Sequence, residues 1–178
     1  LGVITWEAAQ KAKKVIAVEI DKKLLPILKE TLADCPNVEI LNQDILKTDV
    51  NKLIADERKK GIGQVKILGN LPYYITTPAI TAMLESKAFS AITVMVQKEV
   101  AQRICACAGS SDYSAFSIYI AYYAQAEILF DVPRDCFVPQ PKVDSAVVRL
   151  TPRSTPPVPV CDEKLFFSLV KAAFGQRR

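Results

Sequence analysis

Short apolar runs alternate along this chain with segments of helical periodicity. The runs have the length of strands, and the apolar run at 15–19, which ends in an acid, is typical of a buried parallel strand. This alternation favours an α/β fold in which helices cover both faces of an open sheet. We expect strands over residues 15–19, 38–41, 65–69, 91–96, 127–132 and 143–150.

The segments between these runs predict the helices. They cover residues 5–14, 49–60, 77–86, 97–107, 113–123 and 165–174. One more helix is predicted after Asp21, whose side chain can cap free backbone N–H groups. Leucines recur there at positions 24, 28 and 32. Pro26 would remove one backbone hydrogen bond, so we expect this helix to begin late.

A proline-rich stretch interrupts the pattern near the end of the chain. Residues 151–160 contain four prolines, a composition typical of linkers. We therefore expect one α/β domain over residues 1–150. Residues 151–178 would hold the linker and the start of a C-terminal helical region.

Composition excludes several kinds of site. The chain contains no histidine, which removes Ser-His-Asp and Cys-His catalytic groups and disfavours zinc, so we expect no metal. Five cysteines without framework spacing indicate a reduced, cytoplasmic protein. No segment approaches the ~20 continuous apolar residues of a membrane span. We expect no membrane partner, and we expect a monomer.

The basic excess lies at one end of the chain. Residues 1–133 carry equal numbers of basic and acidic side chains, whereas residues 134–178 carry eight basic and four acidic ones. Such an end can simply aid solubility, but it is also expected where a polyanion docks. The candidates for phosphate contact are Arg149, Arg153, Lys171, Arg177 and Arg178.

Polar residues follow three of the predicted strands. These are Glu19, then Gln43 with Asp44, and then Asn70. In a doubly wound sheet the carboxyl ends of the strands border one crevice, so we expect the three groups to converge on one ligand. Glu19 follows Gly2 by 17 residues, close to the ~20 between a nucleotide-binding glycine turn and a ribose-binding acid. Any one of these acids alone is more often a solvated strand end.

The segment Asn70-Leu-Pro-Tyr73 is the most specific element of the sequence. It offers a side-chain amide, a carbonyl left free because proline donates no hydrogen bond, and an aromatic ring. Together these groups can hold and stack a planar base that bears an exocyclic amine. The alternative is a Pro-Tyr turn that Asn70 merely caps.

This segment resembles the motif of S-adenosylmethionine-dependent adenine-N6 methyltransferases. Further runs resemble the ribosomal RNA small-subunit adenine dimethyltransferase family, and the resemblance covers essentially the whole chain. They are VEID at 18–21, QDIL at 43–46, MVQKEVA at 95–101, FVPQPKVDS at 137–145 and FGQRR at 174–178.

The resemblance implies a Rossmann-like methyltransferase sheet and S-adenosyl-L-methionine as cofactor. Glu19 would hold the cofactor ribose, Asp44 and the Ile45 backbone would read its adenine, and Gly2 would approach its methionine portion. Family members carry a strand and a Gly-rich loop ahead of Gly2 and a small helical domain after residues 174–178. The resemblance thus implies that the first strand and the C-terminal helical domain are missing.

The resemblance also implies the substrate. Asn70, Leu71 and Tyr73 would hold the target adenine and Phe137 would stack on its other face, with Asn70 counted among the cofactor-binding residues as well. The implied reaction dimethylates N6 of adjacent adenosines near the 3′ end of small-subunit (16S-type) ribosomal RNA. The implied partner is this RNA or a pre-30S-type particle during ribosome biogenesis.

Two alternatives remain. One is a large-subunit adenine methyltransferase that confers antibiotic resistance, which the runs at 113–124 and 137–145 disfavour. The other is a non-catalytic assembly or transcription factor that keeps the fold for RNA or DNA binding. The presence of Glu19, Asp44 and Asn70 argues against this factor.

Overall fold

The computed structural model describes residues 2–175 of the chain. It contains two compact units, Leu1–Gly63 and Gln64–Arg178. Each unit has its own sheet and its own buried residues.

The first unit is built on two parallel strands. Its elements are α1 (Val3–Ala9), β1 (Val15–Val18), α2 (Leu25–Thr31), β2 (Val38–Leu41) and α3 (Val50–Lys59), with a 3-10 turn at Lys22–Leu24. β1 and β2 pair in parallel from Val15 opposite Val38 to Val18 opposite Leu41. Their carboxyl ends therefore lie side by side.

Local capping sets the helix boundaries in this unit. The Asp21 carboxylate accepts the Lys23 N–H, and Pro26 lies in the first turn of α2, where its missing donor costs nothing. The predicted late start is thus confirmed. The expected helix over 5–14 ends instead at Ala9. The Asn37 amide accounts for this end, since it binds the carbonyls of both Ala9 and Ala12 at 2.9 Å as the chain turns into β1.

A buried carboxylate joins the elements of the first unit. Glu57 on α3 is 7% exposed and accepts hydrogen bonds from Lys60 at 2.7 Å and Lys14 at 3.2 Å. Lys14, just before β1, also binds Glu39 of β2 at 2.6 Å. The Lys60 hydrogen bond, assisted by Lys14 and opposed by burial, lowers the pKa of Glu57. A network of this kind stabilises the fold only while the carboxylate is charged.

We therefore predict that the first unit is sensitive to acid through Glu57. A lowered folded-state pKa contributes stability above the ordinary pKa of the carboxyl group, and this stability is lost as the pH falls through the folded-state value. Glu57→Gln should melt below the wild type at pH 7, and the gap should narrow by pH 4 and below. Thermal unfolding from pH 7 to 3 tests this, with the exposed Glu30→Gln as control. A gap that stays constant with pH would contradict the prediction.

The second unit contains a four-stranded sheet in the order β3-β4-β6-β5. Its strands are β3 (Lys66–Asn70), β4 (Ala91–Gln97), β5 (Ala124–Val132) and β6 (Ser145–Pro152). Its helices are α4 (Thr76–Glu85), α5 (Lys98–Cys105), α6 (Ala115–Tyr123) and α7 (Glu163–Gly175), and 3-10 turns cover Tyr73–Ile75 and Arg134–Cys136.

The two central strands of this sheet hold its core. β3 and β4 run parallel, and β6 runs antiparallel to both β4 and β5. Alternate side chains of β4 and β6 are fully buried, at positions 92, 94 and 96 and at 146, 148 and 150. β6 extends to Pro152 and β5 begins at Ala124, both beyond the predicted bounds, because Ala124 pairs with Pro152.

The last helix packs on the second unit through aromatic side chains. Phe166 and Phe167 of α7 contact the rings of Tyr122 and Tyr123 on α6. The Glu163 carboxylate accepts both tyrosine hydroxyls, at 3.2 and 2.8 Å. The structure therefore packs α7 on α6 of the second unit. The predicted division of the chain into domains at residue 150 stays a prediction. Among the described residues, no helix has the length and apolarity to cross a membrane.

Candidate functional site

Gly2 lies where α1 begins, in a backbone conformation that favours glycine. Its φ is 78°, in the left-handed region, and its carbonyl accepts the Trp6 N–H at 2.8 Å. A Cβ placed there would approach the Leu28 side chain to 3.2 Å. Backbone conformation and close packing against α2 both require glycine at this position. Its contact with the cofactor stays a prediction.

Glu19 follows β1 directly and its carboxylate is held in place. Its N–H donates to the Leu41 carbonyl at 2.9 Å, and its Oε1 accepts the Asp21 N–H at 2.8 Å. The side chain is half-buried, and Oε2 has no partner within residues 2–175. One carboxylate oxygen therefore orients the group while the other can receive a ligand.

Asp44 and Ile45 present a complementary pair of groups after β2. Asp44 Oδ1 accepts the Leu46 N–H at 2.9 Å, and neither Oδ2 nor the Ile45 N–H is engaged by a described residue. The Gln43 N–H donates to the Glu19 carbonyl at 3.2 Å. The structure thus brings together two of the three predicted strand ends, those of β1 and β2.

The groups of the first unit fit the adenosine part of S-adenosylmethionine. An open carboxylate oxygen beside a free N–H matches the amine and ring nitrogen of adenine, which donate and accept hydrogen bonds respectively. The second carboxylate, on Glu19, matches a ribose diol. Gly2, Glu19, Asp44 and Ile45 all lie in this unit.

Asn70 and Leu71 end β3 with two free acceptors. Asn70 is exposed and lies opposite Met95 of β4, and its amide has no hydrogen bond to a described residue. The turn that follows is closed by the Pro72 carbonyl, which accepts the Ile75 N–H at 3.0 Å, with no side-chain cap. Asn70 therefore does not cap the turn, which removes the alternative interpretation of this segment. The Leu71 side chain is buried, and its carbonyl accepts no bond from residues 2–175.

Tyr73 is anchored by a residue to which the sequence analysis assigned no role. Its hydroxyl lies 3.3 Å from the Ser145 hydroxyl at the start of β6. Ser145 is 1% exposed, whereas Tyr73 is 43% exposed. The Tyr73 ring is therefore held at its hydroxyl end and is open to solvent elsewhere. In the sequence, the feature that could have pointed to Ser145 is its position as the last residue of the run at 137–145.

Phe137 lies on a loop whose two ends are tied together. The Asp144 carboxylate accepts the Arg134 N–H, and its carbonyl accepts the Lys98 N–H, both at 3.0 Å. The Lys98 ammonium lies 2.7 Å from Asp131, and this hydrogen bond raises the pKa of Lys98. The loop closes at Ser145, which pairs with Gln97 of β4.

The segments that carry the adenine-binding candidates meet the four-stranded sheet at one end of its strands, where β3 and β4 end and β6 begins. Asn70 pairs with Met95, and Ser145 pairs with Gln97 two residues further along the same strand. The segments with Tyr73 and Phe137 adjoin those positions. Asn70, Leu71, Tyr73 and Phe137 all lie in the second unit. Convergence of Asn70 with Glu19 and Asp44 stays a prediction.

The basic candidates have different surroundings. Arg149 donates to Glu127 on the neighbouring strand at 2.7 and 2.9 Å, and Arg153 donates to the Ala121 carbonyl at 3.1 Å. Lys171 is exposed on α7. Arg177 and Arg178 lie outside the described residues. Phosphate contacts by these residues stay a prediction. Within residues 2–175 no group of three or more metal-ligating side chains is found.

Comparison with known proteins identifies close sequence relatives. A family model described as "Ribosomal RNA adenine dimethylase" matches residues 1–178. The chain is 53% identical over 179 residues to "Ribosomal RNA small subunit methyltransferase A" of Alkaliphilus oremlandii, and covers 62% of that protein. It is 48% identical to the protein of the same name in a Geobacillus species, covering 61% of it. All of this chain is matched, but it spans less than two thirds of these relatives.

Two solved structures share the fold. The 23S rRNA methyltransferase ErmE superposes with a TM-score of 0.79 at 28% identity, over 98% of this chain and 66% of that one. A dimethyladenosine transferase from Plasmodium falciparum gives a TM-score of 0.78 at 28% identity, over 99% and 61%. The expected Rossmann-like methyltransferase fold is confirmed. With the family model matching its whole length, the chain belongs to the ribosomal RNA adenine dimethylase family.

Proposed function

We propose that the protein transfers methyl groups from S-adenosylmethionine to N6 of adjacent adenosines near the 3′ end of small-subunit ribosomal RNA. The product would be N6,N6-dimethyladenosine. Family membership supports the chemistry, and the names of the relatives support the small subunit. The observation that carries the proposal is the pair of acceptors at Asn70 and Leu71 that no described residue engages, next to the anchored ring of Tyr73.

Residues of the first unit would hold the cofactor. When bound, S-adenosylmethionine supplies a methyl group on a positively charged sulfur, an activated donor. The Glu19 carboxylate would accept hydrogen bonds from the ribose hydroxyls. Asp44 would accept from the adenine amine, and the Ile45 N–H would donate to the adjacent ring nitrogen. The free oxygens of both carboxylates support this assignment.

Asn70 and Leu71 would act on the nucleophile. The lone pair of the adenine amine is delocalised into the ring, which makes it a poor nucleophile. The Asn70 side-chain oxygen and the Leu71 carbonyl would each accept one N6 hydrogen and favour a pyramidal amine. An interaction that strengthens in the transition state raises the chemical rate. Alignment of the amine with the methyl group would add the advantage of positioned reactants.

Tyr73 and Phe137 would hold the target adenine between their rings. A base must leave its stack to reach such a site, and aromatic stacking offsets part of that cost. The hydroxyl contact with Ser145 keeps the Tyr73 ring from rotating away. The tied ends of the loop restrict the backbone segment that carries Phe137.

The proposed partner is the small ribosomal subunit during its assembly, and the proposed enzyme is a cytoplasmic monomer. The structural similarity to ErmE, a 23S rRNA methyltransferase, makes the large subunit the alternative substrate. Identity near 50% with small-subunit methyltransferases, against 28% with ErmE, favours the small subunit.

Methyl transfer to purified subunits tests the choice of substrate. Radiolabelled S-adenosylmethionine would be supplied to undermethylated small and large subunits, with the protein extended to the full length of its relatives. We expect label in the small subunit alone. Label in the large subunit alone would favour the resistance enzyme. Binding to small subunits without label in either would favour a non-catalytic assembly factor.

A further inference from the structure

We propose that Asn42 is a positioning residue for the ligand-binding carboxylate of Glu19. The Asn42 Nδ2 donates to the Glu19 carbonyl at 2.8 Å and to the Ile20 carbonyl at 3.2 Å. Asn42 is exposed and follows β2 directly, beside the end of β1. This proposal rests on the proposed function, because it assumes that Glu19 holds the cofactor ribose.

The need for such a residue follows from where β1 ends. Pairing with β2 continues as far as Glu19, whose N–H donates to the Leu41 carbonyl. The chain then leaves the sheet, and regular pairing no longer fixes its conformation. One amide nitrogen that binds two successive carbonyls holds the two peptide groups that carry them, Glu19–Ile20 and Ile20–Asp21.

The second of these peptide groups in turn sets the direction of the carboxylate. The Asp21 N–H donates to Glu19 Oε1 at 2.8 Å, and the Asp21 carboxylate accepts the Lys23 N–H at 2.9 Å. Asn42 therefore holds the backbone from which the Asp21 N–H points at Glu19. Without the Asn42 donor the Glu19 carbonyl would keep the Gln43 N–H, but the Ile20 carbonyl would be released. The Asp21 N–H of the same peptide group would then move, and the carboxylate would sample orientations that do not match a ribose diol. The loss would appear in cofactor affinity.

Asn37 offers a matched control in the same unit. Its Nδ2 also donates to two carbonyls, those of Ala9 and Ala12, both at 2.9 Å. It does so at the amino end of β1, away from the end that carries Glu19. A purely structural amide and a positioning amide can thus be compared by the same substitution.

The test replaces each amide by the isosteric carboxylate, which accepts but cannot donate. Asn42→Asp should weaken binding of S-adenosylhomocysteine about tenfold, as expected for the loss of one or two neutral hydrogen bonds. The rate at saturating cofactor should stay near normal, and Asn42→Gln, which keeps the donors, should restore part of the affinity. Asn37→Asp should lower the melting temperature without changing affinity. Calorimetry on the full-length protein gives both affinities.

Hydrogen exchange of the ligand-free chain gives a readout independent of catalysis. Asn42→Asp should speed exchange at the Asp21 amide, whereas Asn37→Asp should not. Equal affinities for Asn42→Asp and wild type would overturn the proposal, as would an equal loss of affinity in Asn37→Asp. Glu19→Gln separates the two levels of inference. If Glu19→Gln also binds S-adenosylhomocysteine normally, the proposed cofactor site is overturned as well. If Glu19→Gln binds it weakly while Asn42→Asp binds it normally, only the role of Asn42 is overturned.

Discussion

Asn70→Ala should lower the single-turnover rate of methyl transfer on the order of 10²-fold or more, by analogy with the loss of one well-placed group that stabilises the transition state. The Asn70 amide has no hydrogen bond to a described residue, so its removal breaks no side-chain hydrogen bond within residues 2–175. Affinity for RNA, spread over many phosphates, should barely change. The measurement uses saturating RNA and cofactor in the full-length protein.

The exposed Asn51→Ala serves as the control for this experiment. It removes the same side chain from α3, at a position without a proposed role, and should react at the wild-type rate. An Asn70→Ala rate within a few-fold of wild type would show that Asn70 does not act on the amine.

Glu19→Ala should give the converse result. Its carboxylate is proposed to hold the cofactor and not the reacting amine, so the KM for S-adenosylmethionine should rise on the order of 10- to 100-fold. The rate at saturation should stay within a few-fold of normal, the pattern of an interaction equally strong in ground and transition states. Steady-state kinetics over a wide range of cofactor concentration measures both constants.

Glu7→Ala is the matched control for Glu19→Ala, since Glu7 is an exposed acid of the same unit. It should leave both constants unchanged. A large fall in the saturated rate of Glu19→Ala, with an unchanged KM, would contradict the assignment of Glu19 to the ribose.

Local pattern was sufficient for most elements of the fold. β2 has the predicted bounds and β1 ends one residue early, because short, mainly apolar runs followed by polar residues leave little freedom. Elements whose bounds depend on distant partners were less accurate. The start of β5 at Ala124 depends on pairing with Pro152, and the end of α1 depends on Asn37, 28 residues from the Ala9 carbonyl that it binds.

The residues of the candidate site also fall into two groups, those that local pattern predicts and those that depend on distant contacts. Glu19, Asp44 and Asn70 could be predicted because each lies at or after the end of a strand, and the structure places the first two after adjacent parallel strands. The supporting residues could not be predicted. Ser145 contacts Tyr73 from 72 positions away, and Asn42 donates to backbone carbonyls that follow β1. No local pattern marks such contacts.

Analysis of the methylated nucleosides tests the central claim most directly. Small-subunit RNA that lacks these methyl groups would be treated with the full-length protein and S-adenosylmethionine, cleaved into fragments by a base-specific ribonuclease and sequenced by tandem mass spectrometry. The account predicts N6,N6-dimethyladenosine at adjacent positions near the 3′ end, and its loss with Asn70→Ala. Methyl groups on another base or on ribose, or RNA left unmodified while the cofactor is bound, would contradict it.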